Sequence, residues 1–249
     1  DLVEVNRRDG KREYYLYPHS RGARRIGFVA KSDRPMGPFK VINATDDGRA
    51  AKDGSIFGFD PSVFVEQIND KSDPDYATGF RAYGFYGFQH VDAAQRDPTT
   101  MWAKRPNTDI IIGFIPASLR YGVVKPQEGT NFPHVFPGED LGRFNFFEAA
   151  SIRQVGNKYV WVYSGYSGPD YGQGSTNSAL RYAYGDTPLG PWKSGGVLVD
   201  SRAVVPNKDG SALQTSYSGH NTHGSIEKVG DQWYCFYHRA PRGFGNARQ

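Results

Sequence analysis

A single cysteine, Cys235, stands among 249 residues, which excludes an internal disulfide and any cysteine-rich metal site. Its setting, Trp233-Tyr234-Cys235-Phe236-Tyr237, predicts a buried and inert thiol. No run of about 18 apolar residues occurs, so no helix is expected to span a membrane. No basic-then-apolar leader is present either, and Asp1 opens directly into strand-like sequence, as though upstream chain had been removed. Also missing are a Gly-x-Ser-x-Gly elbow, a phosphate loop, a His-Glu-x-x-His helix and a dinucleotide fingerprint. The commonest esterase, nucleotide and zinc-protease chemistries therefore lack support. Charge of one sign is scarce as well: the net charge is +4, with 30 Lys and Arg scattered among 26 acids. Arg7-Arg8 and the run Arg21-Gly22-Ala23-Arg24-Arg25 read as solvated loops.

What the chain has instead is 30 Gly, 16 Pro, 16 Tyr, 16 Phe and 4 Trp, spread from end to end. That mixture suits many short strands joined by tight turns. An alternating strand, a polar turn and a second strand dense in aromatics recur four times. The second strands are Glu13 to Tyr17, Arg81 to Tyr86, Lys158 to Tyr163 and Gln232 to Tyr237, a repeat of about 70 to 75 residues. Asp9-Gly10, Gly156-Asn157 and Gly230-Asp231 supply the positive-φ residue such hairpins need. A second repeat follows the third strand, where Asp33-Arg34-Pro35-Met36-Gly37-Pro38-Phe39 is echoed by Asp186-Thr187-Pro188-Leu189-Gly190-Pro191-Trp192. Its proline and Gly-Pro end one strand, and the aromatic pins the start of the next. Four-stranded antiparallel sheets stacked side by side make an all-β propeller, of which 249 residues hold about three and a half blades.

Two carboxylates sit where first strands begin. Asp60 opens Phe59-Asp60-Pro61-Ser62-Val63-Phe64, and Glu148 lies in Phe146-Phe147-Glu148-Ala149-Ala150. First strands of propeller blades line the central channel, so such acids are expected to converge. The apolar neighbours of Glu148 would favour its protonated form, and a protonated carboxyl can serve as a general acid. A glutamate accepting hydrogen bonds from turn amides fits the pattern equally well. A third segment, Gly219-His220-Asn221-Thr222-His223-Gly224-Ser225-Ile226, also opens a blade. Alternation along a strand sends only one of its two histidines into the channel, which argues against joint metal ligation. His19, His90 and His134 have no such context, and His238, ending an aromatic strand, reads as structural. Asn43-Ala44-Thr45 matches the glycosylation sequon, a short pattern.

Taken together and in order, these segments resemble glycoside hydrolase family 43, the five-bladed β-propeller arabinofuranosidase and xylosidase family. Asp60-Pro61-Ser62-Val63-Phe64 is similar to its Asp-Pro-x-Val-Phe segment, and Phe147-Glu148-Ala149-Ala150-Ser151-Ile152-Arg153 to the segment of its general acid. His223-Gly224-Ser225-Ile226, with Trp233-Tyr234-Cys235-Phe236-Tyr237-His238-Arg239, resembles its His-Gly-Ser and aromatic strand segments.

The resemblance implies one partial propeller domain over residues 1–249, beginning at the second blade and stopping before the last is complete. It implies an inverting hydrolase of plant cell-wall glycans, with Glu148 as general acid, Asp60 orienting it and tuning its pKa, and a base aspartate upstream of this chain. It also implies His223 beside a hydrated calcium ion and no organic cofactor. Phe147 and Arg248 become candidate substrate contacts, and the insertion from Gln67 to Thr78 is expected to reshape the channel mouth. The expected partner is carbohydrate, with neither nucleic acid nor membrane, and the expected location is secreted or periplasmic. Two alternatives stay open. One is a non-catalytic carbohydrate-binding propeller. The other is a scaffold for protein or nucleic acid, supported only by the positive charge and opposed by acids that would repel phosphates.

Overall fold

The computed structural model describes residues 1–18, 27–51, 60–86, 145–166, 178–188, 190, 192–202, 209 and 222–239, and the strand backbones at 102–106, 121–123, 205–206 and 213–214. Every regular element among them is a strand, as expected of a chain rich in aromatics, glycine and turn residues. The chain divides into two compact units, one of Asp1–Gly87 with Met101–Lys125 and one of Phe88–Thr100 with Pro126–Gln249.

The first unit holds two four-stranded antiparallel sheets. One runs β1 (Leu2–Asn6), β2 (Arg12–Leu16), β3 (Ala30–Ser32) and β4 (Lys40–Val41); the other runs β5 (Ser62–Gln67), β6 (Phe80–Tyr86), β7 (Trp102–Pro106) and β8 (Tyr121–Val123). In both, sequence neighbours pair in order. Val5 and Tyr15 of the first sheet, with Tyr17 and Val29 just beyond its strands, pack with Val63, Phe80 and Ala82 of the second in one buried cluster. Burial of each large apolar side chain is worth about 1.5–3 kcal/mol, so stacking sheet on sheet stabilises what neither hairpin would hold alone. The Asp1 carboxylate adds a polar tie, accepting from the Val63 amide at 2.9 Å and the Ser62 hydroxyl at 3.1 Å.

The segment between β5 and β6, which covers the insertion noted in the sequence, is compact and pinned. Arg81 donates to Asp73 at 2.6 Å, to Asp75 at 2.5 Å and to Glu66 at 3.3 Å. From the β1–β2 turn, Arg8 donates to the carbonyls of Ile68 and Tyr76 and stacks 3.7 Å from the centre of the Tyr76 ring.

In the second unit, β9 (Phe146–Val155), β10 (Lys158–Gly165), β11 (Ala179–Gly185) and β12 (Lys193–Asp200) form a third four-stranded sheet, followed by the pairs β13 (Val205–Pro206) with β14 (Leu213–Gln214) and β15 (Gly224–Val229) with β16 (Gln232–Tyr237). Its core is aromatic, with Trp161 edge-on to Trp192 at 5.1 Å and Phe146 tilted against Tyr163 at 5.5 Å. The expected hairpin residues Gly10, Gly156 and Gly230 all have positive φ.

The repeated Gly-Pro turn is present in both units. The Gly37 amide donates to the Arg34 carbonyl at 3.1 Å and the Gly190 amide to the Thr187 carbonyl at 3.0 Å. Both glycines have positive φ and lie against the following ring, Phe39 or Trp192, with no room for a Cβ.

Among the described residues, three four-stranded sheets, the β13–β14 pair and the leading β15–β16 hairpin stand beside the expected count of about three and a half blades. One expectation fails. Cys235 is half-buried rather than buried, and its neighbours Tyr234 and Phe236 are 49% and 52% exposed. Among the described residues β16 pairs only with β15, whereas β10, its counterpart in the third sheet, is flanked by β9 and β11.

Candidate active site

Asp60, Glu148 and His223 occupy matching places in their sheets. Asp60 stands two residues before β5, Glu148 is the third residue of β9, and His223 immediately precedes β15. Asp60 lies in the first unit, with φ 43°. The other two meet in the second.

Glu148 is 7% exposed. Its place depends on two interruptions of the β9–β10 ladder. Ser164 pairs with Glu148 and Val162 with Ser151, so β9 spends three steps where β10 spends two; on the other side, Gly165 already pairs with Phe146. Each extra residue is a β-bulge, which bends the strand and re-aims the side chains beside it. Ala149, just after Glu148, has φ 54°, and Asn145, just before β9, has φ 48°. A non-glycine residue in this left-handed region costs about 1–2 kcal/mol, and with Asp60 these are the only such residues among those described. Backbone strain of this kind clusters at functional sites.

His223 supplies the partner of Glu148: its Nε2 lies 2.8 Å from Oε1. Among the described residues this is the only hydrogen bond to the carboxyl. His223 is anchored from three directions. Thr222, fully buried, shares a hydrogen bond with the Ser201 hydroxyl, which also donates to the Ser178 carbonyl at 2.8 Å. Gly224 lies against β16 and Leu180, and Arg153 of β9 forms an ion pair with Glu227 of β15.

On the other side of Glu148, the Phe147 ring meets Tyr166 edge-on at 5.5 Å. The Tyr166 amide donates to the Asn145 carbonyl at 2.8 Å, and its carbonyl accepts from the buried Arg181 at 2.9 Å. Burial, then the nearby Glu148 charge, push the Tyr166 phenol above its usual pKa. Sequence reasoning did not single out Tyr166 or Arg181. Arg248 and His220 lie outside the described residues.

No protein-family model matches the chain. It is similar to a xylosidase/arabinosidase of Thermoclostridium stercorarium, 27% identical over 245 residues, covering 97% of this chain and 44% of that protein. It is also similar to a β-xylosidase of Xylanibacter ruminicola, 28% identical over 249 residues, covering 96% of this chain and 63% of that one. In fold it matches a family 43 arabinoxylan arabinofuranohydrolase of Bacillus subtilis, solved with cellotetraose, at a TM-score of 0.55 with 18% identity, over 95% of this chain and 41% of that one. In sequence the chain resembles xylosidases and arabinosidases, and in fold a glycoside hydrolase of family 43. Its four-stranded antiparallel sheets match the fold of that enzyme, and the chain spans about half to two thirds of the curated relatives' length.

Proposed function

We propose that this chain is the acid-bearing part of a glycoside hydrolase that removes terminal sugars from plant cell-wall polysaccharide or oligosaccharide. The observation that carries the reading is Glu148 itself, a buried carboxyl whose one described partner is the imidazole of His223 at 2.8 Å. That contact occupies Oε1 and leaves Oε2 for a glycosidic oxygen. The names of the curated relatives support α-L-arabinofuranosyl and β-D-xylosyl units as the sugars; a β-galactosyl unit is the third candidate.

In the inverting reaction Glu148 protonates the departing oxygen while a base aspartate activates water on the opposite face, with the carboxyls about 6.5–9.5 Å apart. No residue of this chain is assigned as that base. Asp60 orients and tunes the acid, an assignment resting on its motif alone. Phe147, braced by Tyr166, offers an apolar ring to the sugar, and Arg248 is a substrate contact by motif. We read residues 1–249 as part of one propeller domain of a secreted or periplasmic protein whose partner is carbohydrate, with neither nucleic acid nor membrane involved.

Calcium takes six to eight oxygen ligands, at about 2.3–2.6 Å. In the second unit the described carboxylate beside His223 is that of Glu148, hydrogen-bonded to it, and a calcium ion beside His223 is carried by the motif alone. No step of the reaction is assigned to an ion.

The test is hydrolysis of aryl arabinofuranosides, xylosides and galactosides by the full-length protein and its Glu148→Ala form. A general acid contributes about 10²–10⁴-fold, so a loss of that size supports the reading, with NMR of the first-formed anomer reporting inversion. If the full-length protein binds glycans but cleaves none, the non-catalytic propeller replaces this proposal.

A further inference from the structure

The β15–β16 ladder ends in an unusual way. From Val229↔Gln232 to Gly224↔Tyr237 its register is regular, and the next pair along is His223 with His238. The His238 amide donates to the His223 carbonyl at 3.1 Å, as an antiparallel pair requires. The His223 amide, however, is directed to a side chain, the Nε2 of His238, at 3.4 Å. The two imidazoles lie with centroids 5.3 Å apart, tilted by 43°. His238 thus holds its neighbour by backbone, by ring and by an acceptor that stands in for a main-chain oxygen. Beyond His223 the chain of contacts reaches Glu148 at 2.8 Å.

We propose that His238 is a positioning residue for the acid Glu148, acting through His223. An imidazole at a strand end has two torsions to fix, and a small rotation of His223 would carry Nε2 away from Oε1. Ring packing and the amide-to-imidazole bond resist that rotation. Misplacement by about 1 Å at a reacting group is enough to cost about 10²-fold, so a side chain outside the reaction is able to govern the acid step. This inference rests on the reading of Glu148 as general acid.

The experiment compares glycosides of one sugar with different leaving groups, using the full-length protein and its variants His238→Phe and His238→Gln. Phenylalanine keeps the ring and loses the acceptor, while glutamine loses the ring and places Oε1 near the position of Nε2. A dinitrophenolate leaves without a proton, whereas a methoxide or phenolate needs one. His238→Phe is expected to lower kcat about tenfold or more on the methyl and phenyl glycosides, with KM and the dinitrophenyl rate little changed, and His238→Gln to restore most of the loss. If His238→Phe does not fold, His238→Ala is compared with His238→Gln in the same way. Equal losses on all leaving groups, or no loss, overturn the proposal. Glu148→Ala, assayed alongside, separates the two claims: a leaving-group-selective loss there without one at position 238 removes only the role of His238, and its absence in Glu148→Ala removes the acid assignment as well.

Discussion

Gly224 of β15 lies so close to the Phe236 carbonyl of β16 that a Cβ built on it would stand 2.3 Å from that oxygen and 2.7 Å from the Leu180 side chain. The oxygen belongs to the backbone of a paired strand and has little freedom to retreat. Glycine between His223 and Ser225 is therefore a requirement of strand approach. Gly224→Ala is expected to destabilise the protein by at least about 1–3 kcal/mol, measured by denaturant unfolding, and to weaken the Glu148–His223 contact by displacing β15.

The left-handed Ala149 makes an opposite prediction. Ala149→Gly removes a penalty of about 1–2 kcal/mol and adds about 0.5–1 kcal/mol of chain entropy cost. Thermal unfolding should show it as stable as the parent or slightly more so. Ala149→Val, branched at Cβ, should lower the midpoint. A marked loss in the glycine variant would mean that the methyl group packs in a way the backbone argument omits.

Glu13 carries the clearest acid-side dependence. Burial alone would raise its pKa, but hydrogen bonds from Lys31, Arg7 and Tyr15 outweigh burial and bring it below the usual value. A carboxylate whose folded pKa is depressed stabilises the fold above its unfolded pKa, and that contribution is lost as pH falls through the folded value. Glu13→Gln should therefore be less stable than the parent at pH 7, and the gap should close below about pH 4.5. Melting temperatures of both forms across that range decide it.

Arg81 is the counterpart in the β5–β6 connection. Its removal leaves Glu66, Asp73 and Asp75 facing one another around a half-closed site. Because the three acids are partly exposed, Arg81→Met should cost about 1–2 kcal/mol, between the values for exposed and for buried pairs. Hydrogen exchange should show faster opening confined to residues 68–79.

Much of this was legible in the sequence because it is local. Hairpin glycines, the Gly37 and Gly190 turns and the aromatic second strands each follow from residues a few positions apart, and the strand doublets fell within a residue or two of their observed places. Glu148 and His223 were also singled out, Glu148 from its apolar neighbours and His223 by resemblance. Their direct pairing was not, since 75 residues separate them and only the stacking of β15 near β9 brings them together. His238 was read as structural because nothing in a strand-ending histidine announces that its ring accepts from a neighbour's amide. The inert burial expected of Cys235 assumed an enclosed strand, and enclosure is a property of a sheet rather than of a pentapeptide.

The bulges beside Glu148 were equally invisible, and although the β11–β12 pairing also slips twice, they set one ladder apart from the other pairings of a first strand with a second. In the pairings of β1 with β2, β5 with β6 and β15 with β16 the register is unbroken; in that of β9 with β10 it slips twice, once on each side of the glutamate. A repeating scaffold of this type keeps time by twos, each residue answering the face its number assigns. Glu148 sits where the count is broken, so its orientation is owed to an added beat in the chain as much as to the letter at position 148. Engineers who transplant this glutamate into another sheet by substitution alone would move the letter and leave the rhythm behind.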